Sequence, residues 1–312
     1  MIGSELDAAG VHDQALREAY RRCRAINAQH GRTFFLATRL LSPAQRPAVH
    51  ALYGFARRAD DVLDGFDSRS TDQRAQELQA LATALFTRLV EKRPAGDDPI
   101  LEAVVDTATN YELDWQLFDD FLCSMRMDLT VTDYPDRAAL DRYMYGSAEV
   151  IGLQLLPVLG TVAPRDEAAP YAAALGKAFQ LTNFLRDIDE DLTRGRVYLP
   201  ADELARHGVD RDVLTWCQRN RRTDPRVRSA LTEQHALTRR IYAQAKRGTA
   251  LLHPRSRPCV DAALTLYSGI LDRIEELDFA VFTQRARVST ARRLQVAGTG
   301  LVKALRARRQ EV

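Results

Sequence analysis

The stretch AFQLTNFLRDIDEDLTRGRVYLP, residues 178–200, decides the fold. As an α-helix it carries a stripe of oxygen-bearing side chains, because steps of three and four residues return to the same helix face. The members of this stripe are Gln180, Asn183, Asp187 and Asp191. Apolar residues cover most of the remaining surface, which indicates a buried helix. Since buried carboxylates need charged partners or metal ions, the stretch predicts a polar site inside the protein.

A second stripe of this kind lies upstream, in the segment ALYGFARRADDVLD, residues 51–64. A helical period brings together Tyr53, Arg57, Asp60 and Asp64 within one narrow arc. A solvent-exposed helix with Arg–Asp pairs would show the same pattern, and such pairs are common and contribute little stability. The presence of two matched stripes in one chain favours a shared site.

The bulk composition limits the classes of function. Among 312 residues, 44 basic and 42 acidic side chains give a net charge of +2, which argues against a general nucleic-acid binder. Four cysteines show no paired or metal-binding spacing, so we expect a reduced, cytoplasmic protein. The N-terminus shows no signal-peptide pattern, and the most apolar run, residues 150–162, is too short to span a bilayer.

The spacing of apolar residues predicts the fold class. Between a few turn-rich breaks, apolar residues recur with a period of about 3.6, and alternating strand patterns are almost absent. We therefore expect an all-α fold that forms a single domain over residues 1–312. Its C-terminal tail, residues 285–312, is basic, with eight Lys or Arg and no acid between residues 285 and 309. Such a tail fits either contact with an anionic membrane surface or exposure to solvent.

The two stripes predict a chemistry if they face each other across a helical cavity. Their ligands would all be oxygen atoms, a set that suits Mg²⁺ or Mn²⁺ better than zinc. With few protein ligands, such an ion would keep water molecules and take phosphate oxygens from a substrate. Arg57, Arg186 and Arg196 lie close to the acids in sequence, and guanidinium groups suit the far side of a phosphate. An apolar, aromatic cavity suits a hydrocarbon chain and a carbocation, so we expect ionisation of a diphosphate.

Other motifs fail at particular positions. Asp187-x-Asp189-x-Asp191 imitates the start of a calcium-binding loop, but Leu192 and Tyr198 occupy the places of the required glycine and glutamate. The sequence contains no Walker loop and no Rossmann glycine pattern, so nucleotide binding has no support. No Ser or Cys nucleophile lies in a recognisable elbow.

At these residues the sequence resembles the squalene/phytoene synthase family of head-to-head prenyl transferases. The matching segments are RTFFLATRLL (32–41), ALYGFARRADDVLD (51–64), MDLTVTDY (127–134), YMYGSAEVIG (143–152) and QLTNFLRDIDEDLTRGRVYLP (180–200). The third segment and the end of the last look most like bacterial phytoene synthases. The resemblance implies an all-α isoprenoid synthase fold with a central cavity.

The resemblance also implies a Mg²⁺-dependent reaction in carotenoid biosynthesis. Two geranylgeranyl diphosphates would be joined head to head through a cyclopropyl (prephytoene) diphosphate to give phytoene. The proton acceptor would be either released diphosphate or a tyrosine. A reductive finish with NADPH would give a squalene-type product instead, and we do not expect it.

Individual residues receive roles from the same resemblance. The metal ligands would be Asp60, Asp64, Asn183, Asp187 and Asp191. The residues that hold or orient diphosphate would be Thr33, Tyr53, Arg57, Gln180, Asn183, Arg186 and Tyr198. Tyr143 and Tyr267 would lie near the reacting carbons, and Phe34 would line the cavity. Gly146 and Val150 share a helix face with Tyr143 and are expected to line the cavity too, although small residues also allow close helix packing.

Three alternatives stay open. The C30 synthases of the same family use farnesyl diphosphate to make squalene, presqualene diphosphate or dehydrosqualene, and cavity depth decides between these and a C40 product. A terpene cyclase would apply the same metal chemistry to one substrate. A non-catalytic helical scaffold would leave the acids in surface salt bridges. The sequence does not indicate an oligomeric state.

Overall fold

The structure, a computed structural model, describes residues 2–64 and 69–309, without the side chains of Asp64 and Arg309. Within this part of the chain there are fifteen α-helices and no β-strand, which confirms the all-α prediction. The helices are α1 (Ile2–Ala8), α2 (Gln14–His30), α3 (Arg32–Thr38), α4 (Arg46–Asp64), α5 (Thr71–Leu89), α6 (Pro99–Asn110), α7 (Trp115–Met127), α8 (Arg137–Met144), α9 (Val150–Leu159), α10 (Arg165–Thr193), α11 (Ala201–Ala205), α12 (Arg211–Asn220), α13 (Pro225–Arg247), α14 (Arg257–Glu276) and α15 (Thr290–Arg309). The single-domain organisation stays a prediction.

Local sequence signals explain where many of these helices begin. Aspartates cap several N-termini with a side-chain oxygen, as Asp13 does by accepting from the Leu16 backbone N–H at 2.8 Å at the start of α2. Ser70 and Gln73 form a reciprocal capping box at the start of α5. Gly195 follows the end of α10 with a φ of +75°, a conformation that glycine adopts without strain.

Helix α10 is the central element of the fold. It packs against α9, α13 and α14, and its side chains Leu181, Phe184, Leu185 and Ile188 are buried. A second apolar core is formed mainly by α2, α4, α5, α6 and α7. The predicted burial of the helix around residues 178–193 is therefore confirmed. No helix within the described ranges is both long enough and apolar enough to cross a membrane.

A π-helical turn, Tyr145–Glu149, joins α8 to α9 and changes which residues face inward. At Gly146 a Cβ atom would lie 2.2 Å from the Asp120 carbonyl oxygen, so α7 packs directly on this backbone. Val150 is fully buried in the second apolar core, formed mainly by α2, α4, α5, α6 and α7. The expectation that Gly146 and Val150 line the cavity is therefore wrong. Because a π turn carries one extra residue, the inward face moves by one position, to Ser147 and Ile151.

Candidate active site

A cavity of about 290 Å³ lies among α2, α3, α4, α9, α10 and α14. Its polar end carries Tyr53 from α4 and both Gln180 and Asn183 from α10. The rest of its lining is almost entirely apolar, and includes Leu156 of α9 and Val260 of α14. Helices α4 and α10 therefore face the same cavity, as their two stripes predict.

Two guanidinium groups hold the carboxylate of Asp187. Arg186 donates from Nε to Oδ1 at 2.8 Å and from Nη2 to Oδ2 at 2.5 Å. Arg285, from the segment that precedes α15, places its Nη2 2.8 Å from the same Oδ1 and its Nη1 2.9 Å from Glu190. These contacts compensate the burial of Asp187, whose side chain is only 15% exposed.

The next acid on this stripe, Asp191, is in a less favourable electrostatic environment. Burial and, after it, the negative charge of Asp187 raise the pKa of Asp191 to about 8, although Arg194 and Arg196 oppose the rise. Two carboxylates one turn apart in a partly buried site repel each other. A cation bound between them would relieve this repulsion.

One turn earlier, Asn183 carries an oxygen that lacks a hydrogen-bond partner. Its Nδ2 donates to Gln180 Oε1 at 3.3 Å, but its buried Oδ1 accepts no hydrogen bond. Leaving a buried acceptor unpaired is costly, so the atom is suited to a ligand that supplies positive charge. Asn183, Asp187 and Asp191 thus present one amide and two carboxylates along one face of α10.

The α4 stripe is paired differently. Arg57 Nη2 lies 2.5 Å from Asp61, an acid outside the stripe whose side chain is 51% exposed. Burial raises the pKa of Tyr53 to about 12; the neighbouring Arg57 opposes this rise and the Asp60 carboxylate adds to it. The side chain of Asp64 lies outside the described residues. Thr33 is half-buried in the first turn of α3.

The donor set fits a divalent cation that is shared with a substrate. Within residues 2–64 and 69–309, no three His, Cys, Asp or Glu side chains are close enough to form a closed metal site. The unpaired Asn183 oxygen and the crowded Asp187–Asp191 pair nevertheless give hard oxygen ligands, which suit Mg²⁺ or Mn²⁺. Such ions characteristically bind through few protein ligands together with substrate phosphate oxygens.

Aromatic rings adjoin the polar end of the cavity. Phe34 stacks on Tyr267 with ring centroids 5.0 Å apart, and Phe179 lies 4.4 Å from the same ring. Burial raises the pKa of Tyr267, and the nearby positive charge of Arg186 opposes the rise. Tyr267 therefore joins the hydrocarbon wall of the cavity to the charged groups around Asp187.

Tyr143 and Tyr198 occupy a second aromatic cluster and do not line the cavity. The Tyr143 hydroxyl donates to Asp128 Oδ2 at 2.7 Å, and that of Tyr198 donates to Oδ1 at 3.2 Å. Phe184 stacks on Tyr198 at 4.2 Å, which places this cluster against α10. Burial raises the pKa of both tyrosines, and the Asp128 charge adds to the rise. The expected positions of Tyr143 near the reacting carbons and of Tyr198 near diphosphate stay predictions.

Three residues with contacts in the site were not singled out from the sequence. Asp128 binds the two tyrosine hydroxyls, Arg285 binds Asp187, and Asp61 binds Arg57. Asp128 lies within the family segment MDLTVTDY, which was the available signal for it. Nothing in the local sequence around Arg285 indicates its distant partner.

Comparison with known proteins agrees with this geometry. The family model described as squalene/phytoene synthase matches residues 27–292. The phytoene synthase of Arthrospira platensis is 38% identical over 294 residues, which cover 89% of this chain and 90% of that protein. The 15-cis-phytoene synthase of Synechococcus elongatus is 39% identical over 292 residues, which cover 90% and 91%.

Solved structures give the same family. The crystal structure of a dehydrosqualene synthase in complex with a ligand matches with a TM-score of 0.82 at 26% identity, covering 92% of this chain and 96% of that one. A squalene synthase from Alicyclobacillus acidocaldarius matches with a TM-score of 0.76 at 25% identity, covering 87% and 98%. With its sequence, its fold and its paired stripes in agreement, the chain belongs to the squalene/phytoene synthase family and is a prenyltransferase.

Proposed function

We propose that the protein is a phytoene synthase that joins two geranylgeranyl diphosphates head to head in carotenoid biosynthesis. The observation that carries the proposal is the apolar cavity that ends at the oxygen stripe of α10, with the unpaired Oδ1 of Asn183 at its edge. A substrate with a long hydrocarbon tail and a diphosphate head has the same division into apolar and anionic parts. Similarity to phytoene synthases over nine-tenths of the chain supports the choice of product.

The residues that would hold Mg²⁺ or Mn²⁺ are Asp60, Asp64, Asn183, Asp187 and Asp191. When bound, the ions neutralise diphosphate and make it a good leaving group. The chain supplies this site by burying two carboxylates close together, at a cost that a cation offsets. No reductive step is proposed, and NADPH is not required.

The residues proposed to hold or orient diphosphate are Thr33, Tyr53, Arg57, Gln180, Asn183, Arg186 and Tyr198. Arg186 has the best-defined geometry, because its guanidinium group already makes a two-point contact with Asp187. A planar guanidinium group suits phosphate oxygens for the same reason that it suits a carboxylate. Tyr198 would act through the Asp128 cluster behind α10, since it does not line the cavity.

The aromatic wall would protect the cationic intermediates. Loss of diphosphate from the first substrate leaves an allylic cation, which the double bond of the second substrate attacks; loss of a proton then closes the cyclopropane ring. A second loss of diphosphate, rearrangement of the ring and loss of a second proton give the central triene of phytoene. Phe34, Phe179 and Tyr267 present faces that stabilise positive charge and exclude water.

The reaction is proposed to take place in the cytoplasm. Four free cysteines, three of them buried, are consistent with a reducing compartment. Since phytoene is a hydrocarbon without a polar group, we also propose that the enzyme works in contact with a membrane, as a peripheral protein.

The structural similarity to a dehydrosqualene synthase favours a C30 synthase as the second candidate. To separate the two, purified protein is incubated with Mg²⁺ and either geranylgeranyl or farnesyl diphosphate, and organic extracts are analysed by mass spectrometry. We expect phytoene from the C20 substrate. A C30 hydrocarbon from farnesyl diphosphate alone would replace the proposal with the second candidate, and a cyclic product from one substrate molecule would contradict head-to-head coupling.

A further inference from the structure

Helix α15 is attached to the outer side of the cavity wall by one of its faces. Its Val296 belongs to a buried cluster with Ala37 of α3 and with Cys259 and Ala263 of α14, all three of which also line the cavity. Arg308, near the end of α15, donates from Nη2 to the Leu41 carbonyl oxygen at 2.7 Å. The helix is therefore held on the wall formed by α3 and α14.

The opposite side of α15 leaves large apolar side chains in solvent. Leu294 is 67% exposed, Leu301 48%, Val302 50% and Leu305 46%. Steps of seven and eleven residues from Leu294 return to within about 20° of its direction, and the step of eight to Val302 turns by about 80°, so the four side chains lie within an arc of about 100°. We call this stripe the α15 apolar stripe. Nothing in the core requires it, because the buried face of α15 is already formed by Val296, Gly300 and Ala304.

The charge around the stripe has one sign. Residues 285–309 contain eight Lys or Arg and no acid. Helical periodicity places Arg292, Lys303 and Arg306 along one margin of the α15 apolar stripe, and all three are exposed. A basic helix with leucines on its exposed face has the composition of helices that lie in the interface of an anionic bilayer.

We propose that α15 docks the protein on an anionic membrane surface, with the α15 apolar stripe among the acyl chains and the basic margin at the headgroups. The uniform positive charge selects this occupant, because a second copy of the same stripe would bring like charges together. Docking through α15 also holds the cavity wall of α3 and α14 near the bilayer. Transfer of a hydrocarbon product from cavity to lipid follows from this position, and that step alone rests on the proposed function.

The test is flotation of the full chain with two kinds of vesicle, phosphatidylcholine alone and phosphatidylcholine mixed with an equal amount of phosphatidylglycerol. We expect binding to the anionic vesicles that weakens as salt is raised. The triple variant Leu294→Gln/Leu301→Gln/Leu305→Gln should bind at least about tenfold more weakly. Its matched control replaces three equally exposed apolar residues outside α15, Val90→Gln/Val162→Gln/Trp216→Gln, and should bind as the wild type does.

A second pair of variants tests the charge. Removal of the basic margin in Arg292→Gln/Lys303→Gln/Arg306→Gln should weaken binding by about fivefold for each charge. The control removes the same net charge at exposed positions elsewhere, Arg219→Gln/Arg222→Gln/Arg247→Gln, and should lose much less affinity. Circular dichroism melts establish that each variant is folded. If the leucine variant does not fold, the comparison of the two charge variants tests the docking proposal instead.

Three results would overturn the proposal. The first is a wild type that does not float with anionic vesicles at any salt concentration, and the second is a leucine variant that floats as well as the wild type. A wild-type dimer that becomes a monomer in the leucine variant would assign the stripe to a second copy of the chain. Turnover of geranylgeranyl diphosphate in detergent, measured on the same variants, separates membrane docking from the proposed function. We expect the turnover of every variant to equal that of the wild type. A protein that floats with the vesicles but makes no phytoene would contradict the proposed function and leave the docking proposal standing.

Discussion

The two acidic stripes look alike in sequence, yet the structure gives them different electrostatics. On α10, Asp187 and Asp191 are partly buried one turn apart, and the pKa of Asp191 is raised to about 8. On α4, the visible ion pair joins Arg57 to Asp61, whose side chain is 51% exposed. The difference teaches that α10 crowds two carboxylates whose repulsion a cation would relieve, while the arginine of the α4 stripe is paired with an exposed acid outside that stripe.

The largest expected effect tests whether both stripes serve one reaction. Asp187→Asn and Asp60→Asn should each lower kcat on the order of a thousandfold with the fold retained, because each removes a proposed metal ligand. Product formation from geranylgeranyl diphosphate is the measurement. Asp61→Asn is the control on α4 and should stay within about tenfold of the wild type. Wild-type rates in both ligand variants would favour the non-catalytic scaffold. Loss of activity in Asp187→Asn but not in Asp60→Asn would show that α4 does not contribute to the site.

Next in size is the contrast between the two arginines. Arg186→Lys should lower kcat/KM about a hundredfold, because a lysine cannot replace the two-point contact with Asp187. Arg57→Lys should cost about tenfold, since its partner is exposed. Arg58 lies away from the site, with its Nη1 3.0 Å from Glu77 Oε1, so Arg58→Lys should leave kcat/KM unchanged. A larger loss of kcat/KM in Arg57→Lys than in Arg186→Lys would contradict the difference between the stripes.

The third prediction concerns stability and pH without metal. The folded-state pKa of Asp191, about 8, lies above its ordinary value of 3.8. Between these values the unfolded chain has lost this proton while the folded protein keeps it, so rising pH favours unfolding. Asp191→Asn should therefore reduce the decrease in Tm between about pH 4 and pH 8 by several degrees.

A matched control for this measurement lies on the same face of α10. Asn183→Ala removes an oxygen from the stripe without removing a titrating group, so its dependence of Tm on pH should parallel that of the wild type. Differential scanning fluorimetry over this pH range, with a chelator present, gives both curves. An Asp191→Asn curve as steep as the wild-type curve would show that another group causes the loss.

The smallest expected effect is on α4. Asp61→Asn should change the free energy of unfolding by less than about 1 kcal/mol, because an exposed ion pair contributes little. Urea unfolding of the metal-free protein measures this change. A loss above about 2 kcal/mol would mean that the Arg57–Asp61 pair behaves as a buried one.

Local periodicity was sufficient to predict the fold and the helix that organises it. The stripe from Gln180 to Asp191 depends only on a constant helical repeat, and α10 has that repeat. The repeat breaks at the π turn of residues 145–149, which is why Gly146 and Val150 were assigned to the wrong surface. A residue-by-residue helical projection contains no information about an inserted residue.

Contacts between distant segments could not be predicted from spacing. Arg285 reaches Asp187 from the segment before α15, and Asp128 accepts hydrogen bonds from Tyr143 and Tyr198 on two other elements. These pairings depend on how the helices pack in three dimensions. Family resemblance named Tyr143 and Tyr198 but not the carboxylate between them.

Cys259 lines the cavity from α14, and this position makes its thiol an internal reporter of ligand entry. Burial raises the pKa of Cys259 to about 12, so very little thiolate is present at neutral pH and alkylation should be slow. A molecule that fills the cavity would slow it further by covering the sulfur. The rate at which this single side chain is labelled, read by peptide mapping, would thus register occupancy of the hydrocarbon channel without any turnover.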